Sequence, residues 1–289
     1  MSKENPSIND ARRKKFEKNP INGTKFTIAI SSAKGGVGKS TFATNLALAL
    51  KNLGLKIGIL DADIYGPSLP KLFSIKEKPE NREGKLIPVS KYNIQCMSMG
   101  FLTDEQTPMI WRGPMVTSAI KTFTQKVDWK DLDFIIVDMP PGTGDVQMGL
   151  AKMLPRSDMI VVTTPSKTVQ TVATRVASMA QSYYLRIAGV IENMSFFVNE
   201  EGKQYNIFGS GGGEKLAHDL GVPLLGSIPI DPFVSDGSDT GTPVILGEGH
   251  AADALKSIVD EIIAAVPKIN PLDCTAHTSM ETSVTISNS

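Results

Sequence analysis

The sequence predicts a doubly wound α/β fold: a mostly parallel sheet with helices on both faces. Three observations carry the prediction. Short, nearly continuous apolar runs recur along the 289-residue chain, longer segments with helical patterning separate them, and a glycine-rich turn joins the first run to the first helical segment. Continuous apolar runs mark strands buried on both faces, because crossover helices cover both sides of a parallel sheet. Their alternation with helices gives the winding.

Taken in order, the runs lie at 26–30, 57–60, 134–137, 159–162 and 187–191, and 224–228 adds a further strand. Helices are expected at about 39–53, 114–125, 146–154, 169–184, 213–220 and 251–265. Residues from about 74 to 105 break the rhythm. Their first part, 76–85, is charged and polar, so this stretch reads as an excursion holding a hairpin made from 86–89 and 94–97. Residues 25–267 form the one domain. A polar arm, 1–24, precedes it, its basic run at 11–15 set among Glu4, Asp10 and Glu17. The Ser- and Thr-rich end, 268–289, is expected to be a disordered tail.

Bulk composition narrows the function. Thirty basic residues balance thirty acidic ones, so no overall field draws the chain to nucleic acid or anionic lipid, and neither is expected as a partner. No stretch approaches the roughly 18 apolar residues of a membrane span. The start lacks a secretory h-region, and the two cysteines, Cys96 and Cys274, form neither a Cys-x-x-Cys pair nor a disulfide framework. The expected location is the cytoplasm.

The chemistry starts where the first strand runs into Ser31-Ser32-Ala33-Lys34-Gly35-Gly36-Val37-Gly38-Lys39-Ser40-Thr41. Glycines let the backbone curl so that successive N–H groups point at phosphate oxygens, and the helix that follows adds its positive end. In such a phosphate loop Lys39 reaches the β- and γ-phosphates of ATP, and the Ser40 hydroxyl ligates Mg²⁺. The usual pattern has Gly six residues before the loop lysine. Here that position is Ala33, and Lys34 precedes a double glycine. This is the deviant form of the motif found in the MinD/ParA/nitrogenase-iron-protein class. That resemblance implies that Lys34 reaches across a dimer interface to the partner's nucleotide.

Two more apolar runs end in acids: Leu60-Asp61-Ala62-Asp63 and Val137-Asp138-Met139-Pro140-Pro141-Gly142-Thr143-Gly144-Asp145. Acids at the carboxyl ends of parallel strands face the ligand crevice. Mg²⁺ favours hard oxygen donors, so Asp138 is assigned to its water shell, with Asp61 supporting the metal's surroundings. Asp63 is the candidate to orient or deprotonate the attacking water. Gly142 and Gly144 give the second acidic loop freedom to move with the γ-phosphate.

These motifs, together with Ile64-Tyr65-Gly66-Pro67-Ser68, Met97-Ser98-Met99-Gly100-Phe101, Trp111-Arg112-Gly113-Pro114, Glu192-Asn193-Met194-Ser195 and Phe208-Gly209-Ser210-Gly211-Gly212-Gly213, resemble the Mrp/ApbC/Ind family of iron–sulfur cluster carrier ATPases over about residues 25–265. The resemblance implies a homodimer that binds ATP, hydrolyses it slowly and delivers a 4Fe–4S cluster to apo-proteins. It also implies that Asn193 and the segment Pro229-Ile230-Asp231-Pro232 read the adenine.

One departure matters. Family members that carry clusters usually show Cys-x-x-Cys just after the Glu-Asn-Met-Ser segment, whereas 196–206 here contains no cysteine. Cluster iron is bound by thiolates, and Asn, Glu and Lys do not replace them. Cys96 reads as a small buried hydrophobe. Two functions follow: an ATPase of iron–sulfur assembly or transfer acting on client or scaffold proteins, or a cluster-free nucleotide switch.

Overall fold

Alternate residues of the apolar strands turn to opposite faces of one sheet, and each face has its own set of helices. The computed structural model describes residues 21–101, 113–142, 144–154, 157–166 and 170–266. The polar arm, the tail with Cys274, and Trp111 and Arg112 lie outside the described residues.

The elements are β1 (Thr24–Ser31), α1 (Lys39–Asn52), β2 (Ile57–Asp61), α2 (Leu69–Leu72), β3 (Glu80–Arg82), β4 (Lys85–Ile87), β5 (Val89–Lys91), β6 (Ile94–Ser98) and α3 (Gly113–Gln125). Then follow β7 (Leu132–Asp138), α4 (Asp145–Met153), β8 (Asp158–Thr163), α5 (Gln170–Tyr183), β9 (Arg186–Val198), β10 (Gln204–Tyr205), α6 (Gly212–Leu220), β11 (Leu224–Ile230), α7 (Pro232–Thr240) and α8 (His250–Ala265). Among the described residues the main sheet has nine strands, in the order β10-β9-β8-β1-β7-β2-β6-β5, with β11 also on β9. All pairings are parallel except β5 with β6 and β10 with β9.

Ile28, Ile30, Ile59, Ile136 and Ile160 face α1 and α8, meeting Phe42, Leu46, Leu255 and Ile258. Their neighbours Ala29, Leu60, Val137, Met159 and Val161 face the other way, toward Phe123, Leu150, Val176 and Leu216 of α3 to α6. Burying both faces removes most of the strands' apolar surface from water, at about 25 cal/mol per Å².

The excursion is shorter than expected. Residues 94–98 are a strand of the main sheet, β6, parallel to β2 with Asp61 opposite Ser98. The expected hairpin is also displaced. Pro88 has no N–H to extend a ladder, and the chain divides there into two hairpins. β3 and β4 turn through Glu83 and Gly84, and β5 and β6 through Tyr92 and Asn93, all four at positive φ. Two central residues of that kind make the tight turn that suits strand twist. Strand β9 outruns its apolar core, and α7, rich in Ser, Asp and Gly, was not anticipated.

Candidate functional site

β1 delivers the chain to the loop at the sheet's carboxyl edge. Gly38, at φ 80°, starts α1 without any side-chain cap. The first backbone bond in the helix runs from Phe42 N–H to Gly38 O, 2.9 Å. The amides ahead of it, at an uncapped helix start, are those that a phosphate satisfies. Gly38 is required twice over: by its positive φ, and because a Cβ there would lie 2.2 Å from Asn193 Nδ2.

Lys39 is buried, and its Nζ pairs with Asp138 Oδ1 while standing 3.4 Å from Ser40 Oγ. Register explains the acid's place. Asp138 ends β7 opposite both Ile30 of β1 and Asp61 of β2, so the two carboxylates share one level at the strand ends. Burial pushes the Asp138 carboxyl above the usual carboxylate range, opposed by the Lys39 ammonium. Asp63 is also buried, and its Oδ1 accepts from Tyr65 N–H (3.1 Å) and Gly66 N–H (3.2 Å). Lys34, Gly35 and Gly36 are exposed, Val37 is buried, and Thr41 is half-buried in the first turn of α1.

The donors fit Mg²⁺ in kind. The Ser40 hydroxyl and the Asp138 carboxylate are hard oxygens that both neighbour Lys39 Nζ. Among the described residues no group of three or more His, Cys, Asp or Glu forms a ready metal cage.

Asp61, beside Asp138 at the strand ends, is held by the protein's own donors. Its Oδ1 accepts from Asp63 N–H (3.1 Å), and its Oδ2 accepts from Ser68 N–H (2.9 Å), Leu69 N–H (3.0 Å) and Ser98 Oγ (3.0 Å). Four protein donors reach the group, so it braces the 62–69 loop against β6. Burial, and next the charge of Asp138, push Asp61 up to about 7.

Asn193 and Asp231 also have protein partners. Strand β9 bulges after Asn193: Ile228 pairs with Asn193 but Ile230 with Phe197, and Met194 takes φ 55°. The bulge aims Asn193 at the loop, where Nδ2 donates to Val37 O at 2.9 Å. Asp231 caps α7 through Phe233 N–H (3.0 Å) and accepts from Ala251 N–H at the start of α8 (3.3 Å). Both of its oxygens thus serve helix starts. Pro229 is buried in β11.

Two features escaped the sequence reading. The first turn of α6 is tied to β9: buried Glu192 accepts from Gly213 N–H (2.5 Å) and from Ser195 Oγ. Buried Asn45 accepts from Ile245 N–H at 2.9 Å and donates to Thr41 O at 2.8 Å, tying α1 to the turn before α8. Neither was legible, because the partners lie far along the chain. The stretch where cluster ligands would stand is a β9–β10 hairpin, its turn organised by Asn199 Oδ1. Cys96 is fully buried, and burial pushes its thiol up to about 12.

A strand, an uncapped glycine loop and a helix, with a buried lysine and acids on neighbouring strand ends, define a phosphate-loop NTPase. A ParA family model described as NUBPL iron-transfer P-loop NTPase matches residues 23–264, and the chain belongs to that family. It is 44% identical over 262 residues to the iron-sulfur cluster carrier protein of Aquifex aeolicus, covering 88% of this chain and 72% of that protein. It is 46% identical to the Arabidopsis thaliana iron-sulfur protein required for NADH dehydrogenase, covering 78% of this chain and 73% of the relative. Among solved structures, a nucleotide-binding protein of Archaeoglobus fulgidus in complex with ADP superposes with a TM-score of 0.71 at 31% identity, covering 86% of this chain and 97% of that one. Among the described residues no helix is long and apolar enough to cross a membrane.

Proposed function

We propose that this protein binds ATP with Mg²⁺, hydrolyses it slowly as a homodimer, and acts in iron–sulfur cluster assembly or transfer to apo-proteins. The buried Lys39–Asp138 pair at the mouth of the uncapped helix carries the reading. A phosphate entering the loop is a better partner for Lys39 than a carboxylate that burial disfavours. Lys39 turns to the phosphates, which frees Asp138. Asp138 would then hold the water shell of bound Mg²⁺ and Ser40 would give it a direct oxygen; the ion would neutralise phosphate charge. Asp63 orients the attacking water and takes its proton; the new P–O bond forms as the bond to the ADP oxygen breaks. Lys34, exposed on the loop, reaches the nucleotide of the second copy. Turnover without a partner is slow, as the family resemblance implies.

A cluster-free switch is the second reading, favoured by the cysteine-free β9–β10 hairpin and the burial of Cys96. In it, ATP closes the dimer and displays a surface to a client or scaffold. Iron and acid-labile sulfide after anaerobic reconstitution with Mg-ATP separate the two. About four irons per dimer support a directly held cargo. No bound iron in a chain that still binds ATP sinks the direct carrier and leaves the switch.

A further inference from the structure

Gln147 lies in the first turn of α4, 1% exposed, and the chemistry above makes no use of it. Its Nε2 donates to Ser31 Oγ at 2.7 Å. Its Oε1 is buried with no hydrogen-bond partner among the described residues. A buried amide satisfied at one end is costly, and at a helix position facing a core Met or Leu would avoid that cost. A polar group kept at such a cost invites a reason beyond packing.

Its location supplies one. Ser31 is the last residue of β1, where the strand becomes the phosphate loop. The second acidic loop touches that junction twice more: Met139 N–H donates to Ile30 O (3.0 Å), and Gly142 N–H donates to Ser32 O (2.9 Å). Ser32 in turn donates through Oγ to Lys34 O at 2.9 Å. Three consecutive residues, Ile30, Ser31 and Ser32, are thus gripped by Met139, Gln147 and Gly142. Gln147 is the contact that brings helix α4 into this grip.

We propose that Gln147 is a positioning residue for ATP hydrolysis: through Ser31 it sets where residues 139–142 and α4 stand against the phosphate loop. The proposal rests on the ATPase reading above. Gln147 touches no reacting atom; it acts through the placement of Gly142 and Asp138.

The test compares wild type, Gln147→Met, Ser31→Ala and the double variant, each as the full chain, by single-turnover hydrolysis and ATP Kd. Gln147→Met keeps the size and removes both polar ends; Ser31→Ala is the smaller change should the first misfold. Each single variant is expected to hydrolyse ATP at least tenfold more slowly, with ATP Kd within twofold of wild type. The double variant should be no slower than the slower single, because both break one contact. Unchanged rates in folded single variants would reduce Gln147 to a core residue and overturn the proposal. So would parallel losses of Kd, rate and melting temperature. A wild type that binds no ATP would instead sink the reading on which the proposal stands.

Discussion

Asp61 is buried beside Asp138 and held by four donors, and its titration gives a stability signature that can be worked out in advance. Its carboxyl is raised from 3.8 to about 7. The folded protein therefore holds this proton more tightly than the unfolded chain does. Stability is greatest below the unfolded value, falls as pH rises through the interval between the two, and levels off above the folded value. At about 1.4 kcal/mol per pH unit, Asp61 alone makes the nucleotide-free protein about 1.4 kcal/mol less stable at pH 8 than at pH 6. Asp138, also raised, adds in the same direction. The assay is urea unfolding at pH 6, 7 and 8 in EDTA, for wild type and Asp61→Asn. The asparagine cannot titrate, so its stability should change less over that range by about the same 1.4 kcal/mol. A flat wild-type profile, or an undiminished slope in Asp61→Asn, would refute the placement of a buried, protonatable carboxyl at this strand end.

Other outcomes follow from the same geometry. Gly38→Ala forces a positive φ on alanine and pushes Asn193 off Val37 O; the expected loss is about 2–3 kcal/mol of stability, with ATP affinity at least tenfold weaker. Calorimetric unfolding and an ATP titration check both halves, and wild-type affinity would contradict the contact. Asp231→Ala removes the cap of α7 and the tie to Ala251 N–H, and should cost about 1–2 kcal/mol with ATP Kd changed less than twofold. A large affinity loss at full stability would return Asp231 to the nucleotide.

The sequence made the central layer legible for a physical reason. Strands buried on both faces must be apolar throughout, so acids at their ends, Asp61 and Asp138, stand out, as does a glycine loop opening a helix. What the acids do was less visible. Asp61 meets Ser98 across 37 residues, a separation that no local pattern reports. The same holds for Glu192 with Gly213 and for Gln147 with Ser31 across 116 residues. Strand β6 was misplaced because the polar residues before it resemble an insertion, although its own residues Ile94, Cys96 and Met97 are fully buried. Helix α7 was missed because Ser, Asp and Gly are weak helix formers, and its start depends on the Asp231 cap and on Pro232 at the first position.

The proposed hydrolysis turns on one lysine, Lys39, changing partners from Asp138 to phosphate. Isothermal titration of the full chain with Mg-ATP, wild type beside Lys39→Ala, tests that most directly. Saturable binding by the wild type and none by a folded Lys39→Ala variant is the expected result. Tight ATP binding by that variant would contradict the phosphate-loop assignment and the mechanism built on it.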